Sequence, residues 1–234
     1  MTKMDWLGLI ASYLYAFGIL ALFENVGKKY QLPQFFTRKL THLFAGLWTW
    51  GVLMLFENKL PGLIPYASFI ILNYLFYRKQ TYGHMDSKED SPGTVYFAVS
   101  ITLCMAFLWN PHGPADHVSI AMAGIMAMTL GDAMAALIGR YMGKHSFTCF
   151  NATKTLEGSA AMLVFSAIGI FISLWVIPGS PIAPDAPVFS FSTLLVATGV
   201  GAVVATVIEA VSLKGLDNLT VPLATAALLY LLWV

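Results

Sequence analysis

Long apolar stretches separated by short polar ones follow one another along this 234-residue sequence. Most of them approach the roughly 20 residues that an α-helix needs to cross about 30 Å of hydrocarbon. Apolar and polar residues do not alternate as in a membrane β-barrel, so the pattern favours helices, which satisfy their own backbone hydrogen bonds within lipid. The eight predicted spans are residues 5–23, 40–56, 60–77, 93–109, 117–139, 156–177, 191–211 and 217–234.

The composition agrees with a membrane protein. Hydrophobic residues make up 58% of the chain and charged residues only 11%, whereas soluble domains carry about 25% charged residues. A soluble enzyme and a disordered protein are therefore excluded, and the formal net charge of +1 excludes a basic surface for nucleic acid. We predict an all-α fold, a polytopic integral membrane helical bundle with about eight transmembrane helices, or seven if one of the short second, third and last spans is re-entrant.

The basic residues predict how this bundle is oriented. With eight spans, eleven of the thirteen Lys and Arg residues fall on one side, and only Lys3 and Lys59 on the other. Because short cytoplasmic loops of membrane proteins are enriched in Lys and Arg, the basic side is predicted to face the cytoplasm and both termini to face outward. The eleven residues are Lys28, Lys29, Arg38, Lys39, Arg78, Lys79, Lys88, Arg140, Lys144, Lys154 and Lys214.

Nothing in the sequence divides the chain into separate units. The Pro-rich stretch at 178–187 is short enough to be a loop between two spans, so residues 1–234 are predicted to form a single transmembrane domain. No small-residue cleavage site follows the first span, which predicts that this span is retained rather than removed as a signal peptide.

One acidic residue lies well inside a predicted span. Asp132 precedes Arg140 by eight residues, which places it roughly 12 Å below the cytoplasmic end of the fifth span at ~1.5 Å per residue. Ionisable residues at such depth mark functional sites more often than not. Gly131, Ala135 and Gly139 recur every four residues beside it, and such a small-residue stripe predicts that another helix approaches closely.

Other acidic and amide side chains fall at the cytoplasmic ends of later spans: Glu157, Glu209, Asp217 and Asn218. Carboxylate oxygens suit Mg²⁺, which takes one or two of them together with substrate phosphates. Arg and Lys suit the phosphates themselves. Carboxylates, cations and a lipid surrounding together favour phosphoryl transfer to a lipid.

Each of these residues also has a structural interpretation. Asp132 is compatible with a simple ion pair to a basic residue on a neighbouring helix. Lys154 and Glu157 are three residues apart, a spacing typical of a pair at a helix end. His42, one turn past Lys39, is on its own typical of a core histidine.

Four sequence blocks carry a family resemblance: R-K-L-T-H at 38–42, T-L-G-D-A-M-A-A-L-I-G-R-Y-M-G-K-H at 129–145, K-T-L-E-G-S at 154–159 and I-E-A-V-S-L-K-G-L-D-N-L-T-V-P at 208–222. In this order and spacing they resemble the polytopic CTP-dependent lipid kinases, which include phytol, farnesol and dolichol kinases and a CTP-dependent diacylglycerol kinase. The compact chain is most similar to the phytol kinase branch. The blocks cover the second and fifth to eighth spans, whereas the other spans resemble nothing beyond apolar helices.

The resemblance implies transfer of the terminal phosphoryl group of CTP, or a related nucleotide, to the hydroxyl of an isoprenoid alcohol such as phytol, geranylgeraniol or a polyprenol. It implies Mg²⁺ or another divalent cation, and a site on the cytoplasmic face of the membrane (the cell membrane in a prokaryote). The implied catalytic residues are Asp132, Glu209 and Lys154. The implied nucleotide and phosphate ligands are Arg38, Lys39, His42, Gly139, Arg140, Gly143, Lys144, Glu157, Gly158 and Asn218. The implied metal ligands are Asp132, Glu209 and Asp217.

Three alternatives stay open on the sequence. Diacylglycerol is the nearest rival acceptor within the same chemistry. A lipid-phosphate cytidylyltransferase would also combine CTP, a metal and a membrane, but would release pyrophosphate instead of CDP. A transporter could use Asp132 and Glu209 as an ion relay, although basic motifs on one face alone are not typical of a protein that needs access from both sides.

Overall fold

A computed structural model describes residues 1–79, 81, 92–111, 113, 115–149, 152–213 and 215–233; Lys88 and Lys214 of the predicted cytoplasmic set lie outside these residues. Every predicted span corresponds to a helical segment, which confirms the all-α membrane bundle. The helices are α1 (Lys3–Tyr30), α2 (Gln34–Leu55), α3 (Lys59–Lys79), α4 (Gly93–Leu108), α5 (Val118–Met126), α6 (Ala133–Met142), α7 (Leu156–Val176), α8 (Phe191–Val211) and α9 (Asp217–Trp233), with a π-helical segment (Ala127–Asp132) joining α5 to α6.

Five helical stretches of the described chain are long and apolar enough to cross a membrane. They are α1, α3, the continuous stretch Val118–Met142, α7 and α8. Helix α4 is apolar but shorter. The protein is therefore a multi-pass membrane protein, while the number of spans remains a prediction.

The loop between α1 and α2 is shorter than the sequence predicts. Helix α1 continues to Tyr30 and ends at Gln31, which has a left-handed backbone (φ 51°), and Pro33 directly precedes α2. Since proline cannot continue a helix but is well suited to starting one, α2 begins at Gln34, six residues earlier than predicted. Arg38 and Lys39 consequently lie on a helix rather than in a loop, so their side chains have fixed directions.

The stretch Val118–Met142 is the centre of the bundle. Every residue from Val118 to Thr129 is buried, and the stretch packs against α2, α4, α7 and α9. A helix enclosed on all sides has no need of a polar face, which accounts for its Ala, Gly and Met side chains. Asp132, which follows this apolar stretch, is a buried charged residue and therefore needs a partner.

The small-residue stripe beside Asp132 allows α7 to approach closely, as predicted. A methyl group on Gly131 would lie 2.7 Å from the Sδ of Met162, and one on Gly158 would lie 3.0 Å from the carbonyl oxygen of Ala135 and 3.3 Å from the Cα of Gly139. These distances leave no room for a side chain. Glycine at these positions brings α6 and α7 into backbone contact and fixes the first turn of α7 against α6.

A β-hairpin between α6 and α7 is absent from the sequence prediction. Strands β1 (Ser146–Cys149) and β2 (Ala152–Thr155) pair antiparallel, with Phe147 opposite Lys154. Thr155 ends the hairpin and starts α7, since its hydroxyl accepts a hydrogen bond from the backbone N–H of Gly158 at 3.1 Å. The hairpin thereby returns Lys154 toward the bundle instead of leaving it in a solvated loop.

At the opposite end of the bundle, Asp5 joins α1 to the α2–α3 turn. Its buried carboxylate accepts hydrogen bonds from the backbone N–H groups of Thr2, Glu57 and Asn58 and from the Asn58 side chain, at 2.7–3.2 Å.

We expect Asp5→Ala to lower the free energy of unfolding by about 3 kcal/mol, because several buried donors lose their acceptor. Thermal unfolding in detergent measures this, and Asp5→Asn, which keeps one acceptor oxygen, should lose less. Equal stability of the wild type and the Ala variant would contradict the assignment.

Candidate active site

A cavity of about 1020 Å³ lies inside the bundle; it is lined by α1 to α4 and, toward the hairpin, by α6, α7, α8 and α9. One end of it, the polar end, is lined by charged and amide side chains. The rest, which we term the apolar arm, runs between α1, α2, α3 and α4. Eleven of the predicted site residues line this cavity: Arg38, Lys39, His42, Asp132, Gly139, Arg140, Lys154, Gly158, Glu209, Asp217 and Asn218.

Asp132 forms an ion pair with Lys39 at the polar end. The Lys39 Nζ donates to Asp132 Oδ2 at 2.7 Å, and both side chains are largely buried, with 13% and 4% of their surfaces exposed. The Nε2 of His42 is 3.6 Å from the same carboxylate oxygen, and its ring packs against Phe97. Asp132 therefore has the helix partner that its structural interpretation expects, and it also lines the cavity, which is what a functional role requires.

The π-helical segment sets the position of Asp132. The segment ends at Asp132, and its widened turn directs Thr129 into the space left by Gly46 of α2, where a methyl group would lie 2.1 Å from the Thr129 hydroxyl oxygen. Single π-helical turns inside α-helices occur frequently at functional sites. Here the contact holds the central stretch against α2, on the side from which Lys39 reaches Asp132.

A second charged cluster is centred on Lys154. Its ammonium group donates to Glu209 on α8 and lies 3.7 Å from Asp217 Oδ2 on α9. Burial acts to lower the pKa of Lys154, but the carboxylates of Glu209 and Asp217 outweigh it and raise that pKa above its usual value. Lys154 joins the hairpin to two helices through these contacts, and its partner is Glu209 rather than Glu157, with which its structural interpretation pairs it.

Three of the predicted ligands, Gly143, Lys144 and Glu157, do not line the cavity. Gly143 packs under the hairpin, where a methyl group would lie 2.6 Å from the Thr155 Cγ2, and Lys144 is exposed. Glu157 pairs with the Nδ1 of His145 at 2.7 Å on the outer surface. Their roles as nucleotide ligands remain predictions. The partner of Glu157, His145, is not among the predicted site residues.

The oxygen donors of the polar end suit a hard cation. The Asn218 amide donates to the carbonyl of Gly93 at 3.2 Å, while its buried Oδ1 has no hydrogen-bond partner; the carboxylates of Asp132, Glu209 and Asp217 line the same space. Among the described residues, no three His, Cys, Asp or Glu side chains form a closed metal site. This combination fits Mg²⁺, which binds through one or two carboxylates and completes its coordination with substrate phosphates.

The apolar arm consists mostly of residues that sequence reasoning missed. They come from the spans that resemble nothing beyond apolar helices and from the deeper part of α2. In α1, α3 and α4 no periodicity could have identified them, because polar residues do not mark one face of these helices. Representative lining residues are Ala16, Ile19, Leu20, Ala45, Phe69 and Ile101.

Comparison with known proteins places the chain in a family. No family model and no solved structure matches it. It is 30% identical over 226 residues to a phytol kinase of Synechocystis sp., covering 94% of this chain and 88% of that protein. It is 25% identical to phytol kinase 1, chloroplastic, of Arabidopsis thaliana over 92% of this chain and 72% of that one. It is 29% identical to farnesol kinase, chloroplastic, of the same plant over 63% of this chain and 50% of that one. The chain belongs to the phytol kinase family.

Proposed function

We propose that the protein transfers the terminal phosphoryl group of CTP to the hydroxyl of an isoprenoid alcohol and releases the alcohol monophosphate and CDP. One observation carries the proposal: a single cavity combines a charged end with an apolar arm enclosed by membrane helices. The relatives named phytol and farnesol kinase support the alcohol as acceptor. The resemblance of the four sequence blocks supports CTP as donor.

The cations of the polar end would hold the donor. Arg38, Lys39, Arg140 and Lys154 line it, and the Arg140 guanidinium is oriented by the Phe35 ring, whose centroid lies 4.9 Å away. Phosphoryl transfer depends mainly on charge neutralisation and in-line positioning. When the phosphates bind, Lys39 and Lys154 would exchange their carboxylate partners for phosphate oxygens, which leaves those carboxylates free to act.

The carboxylate released from Lys39 would serve the acceptor. In the transfer, the alcohol oxygen forms a bond to the terminal phosphorus, the bond from that phosphorus to the bridging oxygen of CTP breaks, and the hydroxyl proton passes to a carboxylate. We assign that proton to Asp132, because it lies on the boundary between the polar end and the apolar arm. Glu209, closer to the hairpin, is the rival base.

Mg²⁺ would be held by Asp217 with Glu209 or Asp132, together with the nucleotide phosphates. When bound, it would neutralise charge on the phosphates. The site would face the cytoplasm, because it lies at the end of the bundle where the predicted cytoplasmic cations gather.

The identity of donor and acceptor can be tested together. Purified protein is given labelled CTP or ATP with phytol, farnesol, a polyprenol or diacylglycerol, and both products are identified. We expect CDP and an isoprenyl monophosphate. Release of pyrophosphate would instead identify a cytidylyltransferase, phosphatidic acid would identify a diacylglycerol kinase, and flux across sealed vesicles without nucleotide consumption would identify a transporter.

Charge removal far from the cavity should have little effect on this activity. Lys59 lies near Met1 and Pro111 at the opposite end of the bundle. We expect Lys59→Ala to keep kcat/KM for CTP within about twofold, since surface charges at this distance are screened. A loss of tenfold or more would indicate that the nucleotide binds at that end, and would contradict both the site and the orientation.

A further inference from the structure

The apolar arm ends at one level on all four helices that line it. Going away from the polar end, the last lining residues are Ser12 on α1, Trp48 on α2, Pro65 and Tyr66 on α3 and Ile101 on α4. Ser12 and Trp48 are joined directly, because the indole Nε1 donates to the Ser12 hydroxyl at 3.0 Å. We refer to Ser12, Tyr15, Trp48 and Tyr66 as the aromatic floor.

The aromatic floor is held rigidly. The Tyr15 ring stacks on Trp48 with a centroid distance of 4.3 Å and an interplanar angle of 15°, and the Tyr15 hydroxyl donates to the carbonyl of Phe44 at 3.0 Å. A methyl group on Gly51 would lie 2.9 Å from the indole. The indole is therefore fixed by a hydrogen bond, a ring stack and a backbone contact, so that a ligand cannot simply displace it.

Within the described part of the chain, large side chains fill the space beyond the floor. Phe56 and Trp109 are buried there, and they pack on two glycines: a methyl group on Gly8 would lie 2.7 Å from Phe56, and one on Gly62 would lie 2.5 Å from Trp109. A chain that descends from the polar end therefore meets an end wall rather than a channel through the membrane.

The depth of the arm can be measured along α2. Arg38, Thr41, Ala45 and Trp48 all line the cavity at intervals of three and four residues, so the helix presents one face to it. Lys39, which also lines the cavity, precedes Trp48 by nine residues, which correspond to about 14 Å at ~1.5 Å per residue. An extended isoprene unit advances about 5 Å, with carbon–carbon bonds of ~1.5 Å, so the straight arm holds about three units.

We propose that the aromatic floor, and Trp48 in particular, determines the chain length of the alcohol by contacting the end of the isoprenoid tail. This inference rests on the proposed function, because it requires the hydroxyl to lie beside Asp132. A tail of three to four units fills the arm down to the floor, while a longer polyprenol would have to bend back toward the polar end. The floor then selects for length at a point remote from the reacting atoms.

Two substitutions should change the length preference in opposite directions. Trp48→Ala removes the indole and deepens the arm by about one isoprene unit, and Ala45→Phe raises the floor by nearly one helical turn. We measure kcat/KM for geraniol, farnesol, geranylgeraniol and a prenyl alcohol one isoprene unit longer than geranylgeraniol. Since each apolar group matched to a pocket changes discrimination by roughly tenfold or more, we expect Trp48→Ala to raise the ratio of this longest alcohol to farnesol at least tenfold. Ala45→Phe should lower the geranylgeraniol-to-geraniol ratio by a similar factor.

Trp50→Ala is the matched control, because Trp50 is on the same helix but does not line the cavity; its length profile should equal that of the wild type. A geranylgeraniol analogue with a photoreactive group at its far end adds a direct measurement, with crosslinks expected at the floor residues Ser12, Tyr15, Trp48 or Tyr66.

Unchanged length ratios in both cavity variants, or crosslinks only at residues outside the floor, would overturn the floor while leaving the kinase intact. Absence of phosphorylation of every alcohol by the wild type would instead overturn the proposed function.

Discussion

Asp132→Asn should reduce alcohol phosphorylation about 10³-fold while the protein still inserts and folds. Asparagine has the same shape and can still accept a hydrogen bond from Lys39, but it cannot take the proton of the attacking hydroxyl, a contribution of typically 10²–10⁴-fold. Lys39 lines the cavity, so water can solvate the ammonium that loses its counter-charge. The expected loss is therefore in kcat, with KM for the nucleotide little changed.

Asp185→Asn is the control for this variant, since Asp185 lies in the exposed loop before α8 and its substitution should leave kcat within about twofold. Gel-filtration profile and nucleotide binding report whether each variant is folded. Turnover of folded Asp132→Asn at the wild-type rate would remove Asp132 from the mechanism and make Glu209 the better candidate for the base.

Lys154→Met should lower kcat/KM for the nucleotide about 10²-fold. The substitution keeps the length of the side chain but removes the cation that Glu209 and Asp217 share, so the two carboxylates repel each other and the phosphates lose a partner. Because the ammonium contributes both to binding and to transition-state charge, we expect KM to rise and kcat to fall together.

A double variant tests whether Lys154 acts together with Glu209. If Lys154 acts together with Glu209, the double variant Lys154→Met with Glu209→Gln should lose no more activity than the worse single variant. Additive losses would show that the two residues act independently. Lys79→Met, an exposed lysine in the last turn of α3, is the matched control and should behave like the wild type.

The sequence predicted the parts of the site that depend on chemistry. Charge within an apolar stretch is so unusual that Asp132 stood out without any knowledge of the fold, and the spacing of Gly131, Ala135 and Gly139 correctly predicted a close helix contact. Lys39 and Lys154 were also identified, through the resemblance of the sequence blocks that contain them. Their particular partners were not, since pairing across 93 or 55 residues of sequence is decided by packing.

The parts that depend on backbone geometry could not be predicted. A π-helical turn adds one residue to a helix without changing its composition, so nothing in the apolar stretch around Thr129 distinguishes it. The hairpin strands have four residues each, too few to establish a periodicity. The apolar arm depends on which faces of α1, α3 and α4 point inward. Since apolar residues occur all round these helices, the sequence does not indicate which face that is.

The ion pair between Lys39 and Asp132 has a consequence for the synthesis of the protein. The two residues are 93 positions apart. At translation rates of about 5–20 residues per second, Asp132 is therefore synthesised about 5–19 s after Lys39. During that time α2 carries an unpaired ammonium near the membrane surface, where the long lysine side chain can extend to the headgroups. The pair can close only when the central stretch arrives beside α2. The ion pair between Lys39 and Asp132 therefore joins the first half of the newly made chain to the second, and it can form only after the second half has begun to emerge.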